Sequence, residues 1–516
     1  MSSTTPAGAA PVVVPSQPVA ALPDAWRACV GTGRTREVLH ADYRDSLAVV
    51  QDEIGFRATR AHGLLHDDMG LVRPWSHDGR AGTRYGFAYV DQVVDTWLEA
   101  GVAPFVELGF MPAALASGDQ TQFWWRGNVT PPRDHDAWAE LVRALLTHLV
   151  DRYGIEQVRT WPVEVWNEPN LPVFWEGADE AAYHRLYAAS ARAVKDVDAD
   201  IPVGGPAVSP GADDWLPRFA DLVEREGLPC DFVSKHAYTS GPAQHVPFGT
   251  YQTLRPPQDL LAQLATPRAL LAGTALDGLP VHITEFSSSY RPDNPIHDTA
   301  YQAAYLAPVL AGGGDLVDSF SYWTLCDVFE EEGVPTAPLH GGFGLLGHRQ
   351  LRKPAFHLYA FMARLGPAVL ARGDDHLVTR HPDGRISALL WQPLDGARVA
   401  EAGHRVRLDL PGAGPAVVTE RHVDAERGNV RAAWQAMGSP LAPDRRALAD
   451  LHDASAPSLT VRRVSASAGR WAVDVALGRH GIALVEVAGA PDEAPAWTDD
   501  GRLLGAGAPD AAGGAR

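Results

Sequence analysis

Two glutamates close short apolar runs. Glu168 stands in Pro162-Val163-Glu164-Val165-Trp166-Asn167-Glu168-Pro169-Asn170, and Glu285 in Val281-His282-Ile283-Thr284-Glu285-Phe286. Breaking a glycosidic bond takes such a pair, one carboxyl to protonate the leaving oxygen and another to stabilise the sugar cation. Asn167 is a residue type that hydrogen-bonds a sugar 2-hydroxyl, an interaction that strengthens as the cation develops. Pro169 fixes the exit of the chain. Alone, Asn-Glu-Pro reads equally as a surface acid before a helix. A second acid on a later strand of the same series makes the pair a candidate glycosidase site.

The elements that must position the pair follow from where the hydrophobic period switches. Strand candidates are Trp26 to Gly33, Phe56 to His62, Val102 to Leu108, Val158 to Glu168, Ile201 to Val208, Cys230 to Tyr238, Leu279 to Phe286 and Asp318 to Leu325. Helical spacing lies between them, clearest in Trp138, Leu141, Val142, Leu145 and Leu149, with Gly101 and Gly154 as stop signals. Eight alternations predict an α/β chain folded as a (β/α)8 TIM barrel over residues 23–366. Glu168 would close strand four and Glu285 strand seven.

Strand-to-helix joints are long (Gly63–Gly86, Phe110–Asp134, Cys326–Lys353), and in a barrel these form the rim where sites are built. They carry Trp124, Trp125, Phe174, Trp175, Tyr290 and Phe329, aromatics suited to stacking on a sugar face or, one by one, to packing. From about Gly366 the pattern changes to short alternating strands, which predicts a C-terminal β-sandwich accessory domain over 367–490. Residues 1–22 read as a flexible segment with the option of adding a strand to the sandwich, and 491–516 as a flexible tail.

The net charge of −19 over 516 residues disfavours nucleic acid or an anionic membrane as partner. The start carries no positive leader and no apolar run of spanning length. Cys29, Cys230 and Cys326 are odd in number and far apart, which fits thiols in a reducing cytoplasm better than a disulfide framework. His62, His66, Asp67 and Asp68 cluster, but their spacing fits no helical ligand pair, so no metal is expected. Glu107 and Glu164, inside strands, read as buried and paired core carboxylates.

The chain resembles glycoside hydrolase family 39 and, within it, the bacterial β-xylosidases. The resemblance is carried by His62-Gly63-Leu64-Leu65-His66-Asp67-Asp68-Met69, Pro104 to Pro112, Val163 to Asn170, Phe174-Trp175, Thr284-Glu285, Ser321-Tyr322-Trp323 and His340 to Gly344, in family order. It implies a retaining double displacement without a cofactor, with Glu168 as acid/base and Glu285 as nucleophile. It further implies Tyr238 bonded to Glu285, His236 and His62 on sugar hydroxyls, and Trp323 as floor of the subsite. Glu330 and Glu331 match sugar-binding positions, although the adjoining Glu332 leaves the choice among the three open. One departure is Ser287, where the family often has Asn. The expected reaction is removal of β-1,4-linked xylose from the non-reducing ends of xylooligosaccharides, or from aryl glycosides. An α-L-iduronidase-like activity and a catalytically silent sugar-binding barrel are the alternatives, and a homo-oligomer stays open.

Overall fold

A computed structural model of the chain describes residues 10–247, 249–396, 400–491 and 493. Eight parallel strands close into a barrel: β1 (Val30–Arg34), β2 (Ala58–His62), β3 (Ala103–Leu108), β4 (Val163–Val165), β5 (Val203–Val208), β6 (Phe232–Tyr238), β7 (Val281–Ser287) and β8 (Ser319–Tyr322). Closure runs from β8 to β1 through Tyr322 and Val30. The helices outside are α1 (Ala41–Glu53), α2 (Ala88–Glu99), α3 (His135–Tyr153), α4 (Glu180–Val197), α5 (Trp215–Glu226), α6 (Pro257–Leu271), α7 (Ala300–Gly312) and α8 (Pro354–Ala363). The periodic apolar residues of α3 are all buried. Each such side chain taken from water contributes about 1.5–3 kcal/mol before entropy is charged against it. Gly101 and Gly154 follow α2 and α3 with φ of 75° and 87°, backbone that a side chain would strain.

The fourth strand is shorter than the apolar pattern suggests. Ile155–Val158 is a helical turn, and the ladder covers only Val163–Val165. Past it, Trp166 and Glu168 adopt φ of 72° and 44°, so the acid sits on a bent exit and not on the strand itself.

The C-terminal strands are β9 (Ala368–Arg372), β10 (His376–Arg380), β11 (Ile386–Trp391), β12 (His404–Pro411), β13 (Pro415–Val423), β14 (Ser458–Ser465), β15 (Arg470–Leu477) and β16 (Ile482–Gly489). They form two sheets that share one apolar core, including Leu370, Ile386, Leu408, Val418, Trp471 and Val485. The segment 1–22, read as flexible with the option of adding a strand to the sandwich, is tied down where it is described. Val12–Val13 pairs in parallel with β12, and Ala20–Ala21 pairs antiparallel with β9, so it supplies an edge strand to each sheet. Residues 1–9 and most of the tail 491–516 lie outside the described residues.

The strand pattern of this module hides two helices, Val430–Ala436 and Arg445–Ser455. Val430 and Leu451 pack with Leu339 and Leu351, which belong to the long joint after β8. The accessory module thus braces a rim loop of the barrel. No described helix is long and apolar enough to cross a membrane.

Leu408 is fully buried between the two sheets. Leu408→Ala is expected to cost about 2–5 kcal/mol, read as a lowered midpoint in urea denaturation followed by β-sheet circular dichroism.

Candidate active site

At the C-terminal end of the barrel a cavity of about 380 Å³ is lined by Asn167, Glu168, Glu285, His62, Tyr238 and Trp323, among others. One oxygen of Glu168, one of Glu285 and a ring nitrogen of His236 all lie within 4.8 Å of one another. This closest approach of the carboxyls is on the retaining side of the usual division, roughly 5–5.5 Å between carboxyl groups against roughly 6.5–9.5 Å for inverting enzymes.

Backbone geometry aims both acids. In β7, Ile283 stands opposite Lys235 and Glu285 opposite His236, leaving Thr284 as an extra residue. Such a bulge re-aims side chains that strict alternation would send to opposite faces. Consecutive residues therefore both reach the barrel interior, Thr284 Oγ1 donating to Glu164 at 2.8 Å and Glu285 accepting from Arg60 at 2.7 Å. Glu168 is aimed by its left-handed backbone, a conformation that costs about 1–3 kcal/mol and must be held. The hold comes from its own N–H, which donates to the Ala207 carbonyl at 3.0 Å, and from paired bonds between Asn170 and Ser209.

Arg60, in the middle of β2, is the residue that sequence reasoning missed. Its side chain is wholly buried and reaches across the barrel. Nε donates to Glu164 at 2.6 Å, Nη1 to Glu285 at 2.7 Å, and Nη2 to Asn167 Oδ1 at 3.0 Å, with Glu107 at 2.8 Å from the same nitrogen. Burial opposes its charge, but Glu164, Glu107 and Glu285 overrule that and push its pKa up. The signal was there: two acids inside β3 and β4 require a buried cation, and Arg60 is the arginine of the adjacent strand.

Around this cation the other groups sort by charge. Burial, and then the repulsion of Glu285, raises the pKa of Glu168 well above the ordinary carboxyl range, against the pull of Arg60. Tyr238 Oη donates to Glu285 at 2.7 Å, and burial beside that acid keeps the phenol protonated. His62 Nδ1 lies 2.7 Å from Glu107, and its Nε2 faces Glu285 at 3.4 Å. Burial would raise the pKa of Glu107, but His62 and Arg60 beside it overrule that and lower it.

Not every expected contact residue reaches the cavity. His236 is fully buried behind the two acids, its Nδ1 at 2.8 Å from Glu168, and it does not line the wall. Burial and then Arg60 push its pKa far down, so it braces Glu168 without adding charge. Glu330 turns outward to Arg34 at 2.8 Å, and is likewise absent from the wall. Its neighbour Glu331 turns inward, 4.0 Å from His62, with burial and Glu285 raising its pKa. Glu332 is exposed and pairs with Arg291 at 2.9 Å. Of the rim aromatics, Phe174 and Tyr290 line the cavity, Trp125, Trp175 and Phe329 are core residues, and Trp124 is exposed. Ser287 is buried and accepts from Gln302 at 3.3 Å.

Glu168, His236 and Glu285 have the mutual spacing of a metal-binding group. Both Glu285 oxygens already receive donors, from Arg60 and Tyr238, and a cation there would meet the guanidinium charge. The donor set fits a metal poorly. The cluster after β2 is occupied otherwise: His66 and Asp68 pair at 2.8 Å, Asp68 meets Arg34 at 2.6 Å, and Asp67 accepts from the Ala113 N–H.

The family described as Glycosyl hydrolases family 39 matches residues 12–472. The chain belongs to glycoside hydrolase family 39. It is an O-glycosyl hydrolase. A β-xylosidase of Geobacillus stearothermophilus is 45% identical over 93% of this chain and 96% of its own. Among solved structures, a monomeric β-xylosidase from Caulobacter crescentus CB15 matches with a TM-score of 0.82 and 32% identity, over 92% of this chain and 99% of that one. An α-L-iduronidase of Canis lupus familiaris is more distant, 24% identical over 86% of this chain and 71% of its own.

Replacing Arg60 by Met would leave Glu107, Glu164 and Glu285 buried together without their counter-charge. The expected cost is about 3–5 kcal/mol at neutral pH. Arg60 lowers the pKa values of Glu107 and Glu164, so without it their folded-state values rise, and stability is retained at low pH and lost as pH climbs through them. The gap between wild type and variant should therefore narrow as pH falls, measured by denaturant unfolding at several pH values.

Proposed function

We propose that this family 39 enzyme is a retaining β-xylosidase in which Glu168 is the acid/base and Glu285 the nucleophile. The observation that carries the assignment is the pair itself: two carboxyls face one cavity at close range, one raised in pKa and the other receiving an arginine and a tyrosine donor. In the first step Glu285 attacks the anomeric carbon while Glu168 gives its proton to the leaving oxygen, forming a glycosyl ester and releasing the alcohol. The ester is neutral, so the repulsion that added to burial in raising the Glu168 pKa disappears. Glu168, now ionised, takes a proton from water, whose oxygen attacks the anomeric carbon and frees both the sugar and Glu285.

Asn167 fits the 2-hydroxyl. Arg60 holds its carboxamide oxygen, which leaves the NH2 as the donor for sugar. Trp323 supplies an apolar floor, and Glu331 a carboxyl whose raised pKa favours the form that donates to a hydroxyl. Neutral xylose suits this wall better than a uronide. Among the described residues the cavity wall holds three carboxyls and no lysine or arginine. Lys235 is spent on Asp213, and Arg291 on Asp293 and Glu332. A cytoplasmic location is supported by the thiols, since Cys29, Cys230 and Cys326 are all free.

A panel of aryl glycosides tests the substrate: β-xyloside turnover supports the proposal, and iduronide turnover in its place overturns it. The roles are tested by azide. Glu168→Ala should slow xylosides with poor leaving groups by roughly 10²–10⁴-fold and yield the β-azide, whereas Glu285→Ala should yield the α-azide. The reverse pattern would exchange the roles. In the wild type, the fall of kcat/KM at high pH should lie above the ordinary carboxyl range, because loss of the Glu168 proton removes the acid.

A further inference from the structure

The cavity has two chemically different halves. One arc of the barrel, β8 and β2, supplies His62, Trp323 and Glu331, polar or flat groups suited to a hydroxyl-rich ring. The opposite arc is the loops after β4, β5, β6 and β7. It supplies Leu171, Phe174, Pro210 and Tyr290, with Ser209 and Ser240 as its hydroxyls. Ser209 is already bonded to Asn170 at 2.8 Å. Ser240 Oγ is buried and has no hydrogen-bond partner among the described residues.

The mechanism says which half meets which part of the substrate. A general acid must touch the leaving oxygen, so the leaving group lies against the Glu168 side, where the loops after β4 and β5 begin. Resting on the reading of Glu168 as the acid, we infer that Leu171, Phe174, Pro210 and Tyr290 form the aglycone wall. It recognises a leaving group by stacking on these apolar and aromatic side chains, with Ser240 as its one serine hydroxyl without a partner. The fitting substrates are xylosides of an aryl group or of one further pyranose ring.

The wall is held ready. Phe174 is fixed through its backbone, its N–H donating to Leu171 at 2.9 Å and its carbonyl accepting from the Trp166 indole at 2.8 Å. Tyr290 is 44% exposed at the mouth. Its neighbours are pinned, Ser289 by Gln252 and Asn294, and Arg291 by Glu332 at 2.9 Å. An exposed aromatic on a fixed loop is a platform whose ordering has been completed before substrate arrives.

The test compares leaving groups. β-Xylosyl fluoride places only a fluoride against the wall, while 4-nitrophenyl β-xyloside and xylobiose place a ring there. For Phe174→Ala and Tyr290→Ala, the ratio of kcat/KM for either ring-bearing substrate to that for the fluoride should fall at least about tenfold below wild type. Tyr290→Phe should keep the ratio, because the ring and not the hydroxyl does the stacking. Turnover of the fluoride shows that each variant is folded. An unaltered ratio in both alanine variants, or an equal loss in Tyr290→Phe, would overturn the inference. Failure of the wild type on all three xylosides would instead overturn the proposed function.

Discussion

One buried guanidinium organises the catalytic end of this barrel. Arg60 touches side chains from β3, β4, β7 and the exit of β4, so a single cation joins Glu107, Glu164, Glu285 and Asn167. An ion buried without partners would cost far more than folding can supply, and so would three acids without a cation. Together they form a satisfied network whose geometry admits little adjustment. Glu285 is held by this network on one oxygen and by Tyr238 on the other. Glu168 is left outside it, bonded to the uncharged His236. The asymmetry between the two acids is therefore an asymmetry of neighbours.

Backbone irregularity does the rest. Regular alternation along β7 would direct Thr284 and Glu285 to opposite faces, and a regular β4 would carry Glu168 past the cavity. The bulge at Thr284 and the left-handed turn at Glu168 bring both acids to one place. These departures from ideal geometry fall where the site is built, as expected of strain that the surroundings hold in place. The accessory module contributes at a distance, by packing Val430 and Leu451 under the loop that carries Glu331.

Much of this was legible in the amino-acid sequence because period and composition carry it. Eight switches between strand and helix spacing located the barrel, and long joints located its rim. Glu168 and Glu285 stood out because acids are rare at the ends of apolar runs. What was not legible depends on facing partners across the barrel. Arg60 is one charge in an apolar strand, and only the positions of Glu107 and Glu164 explain it. His236 carries the same chemistry on either side of a wall, and sequence cannot tell lining from support. Glu330 and Glu331 differ only in which way a loop turns. For residues 1–22 the sequence offered a strand only as an option, because Val12–Val13 and Ala20–Ala21 are too short and too interrupted by proline to place one.

The central claim is that burial, reinforced by Glu285 close beside it, keeps Glu168 protonated at rest. Carbon-13 NMR of glutamate-labelled enzyme, with Glu168→Gln for assignment, can follow its titration before and after Glu285 is esterified by a 2-deoxy-2-fluoroxylosyl group. The account predicts a Glu168 pKa above the ordinary carboxyl range in the free enzyme and a clear drop in the esterified form. A Glu168 that titrates as an ordinary carboxyl in the free enzyme, or does not shift on esterification, would contradict it.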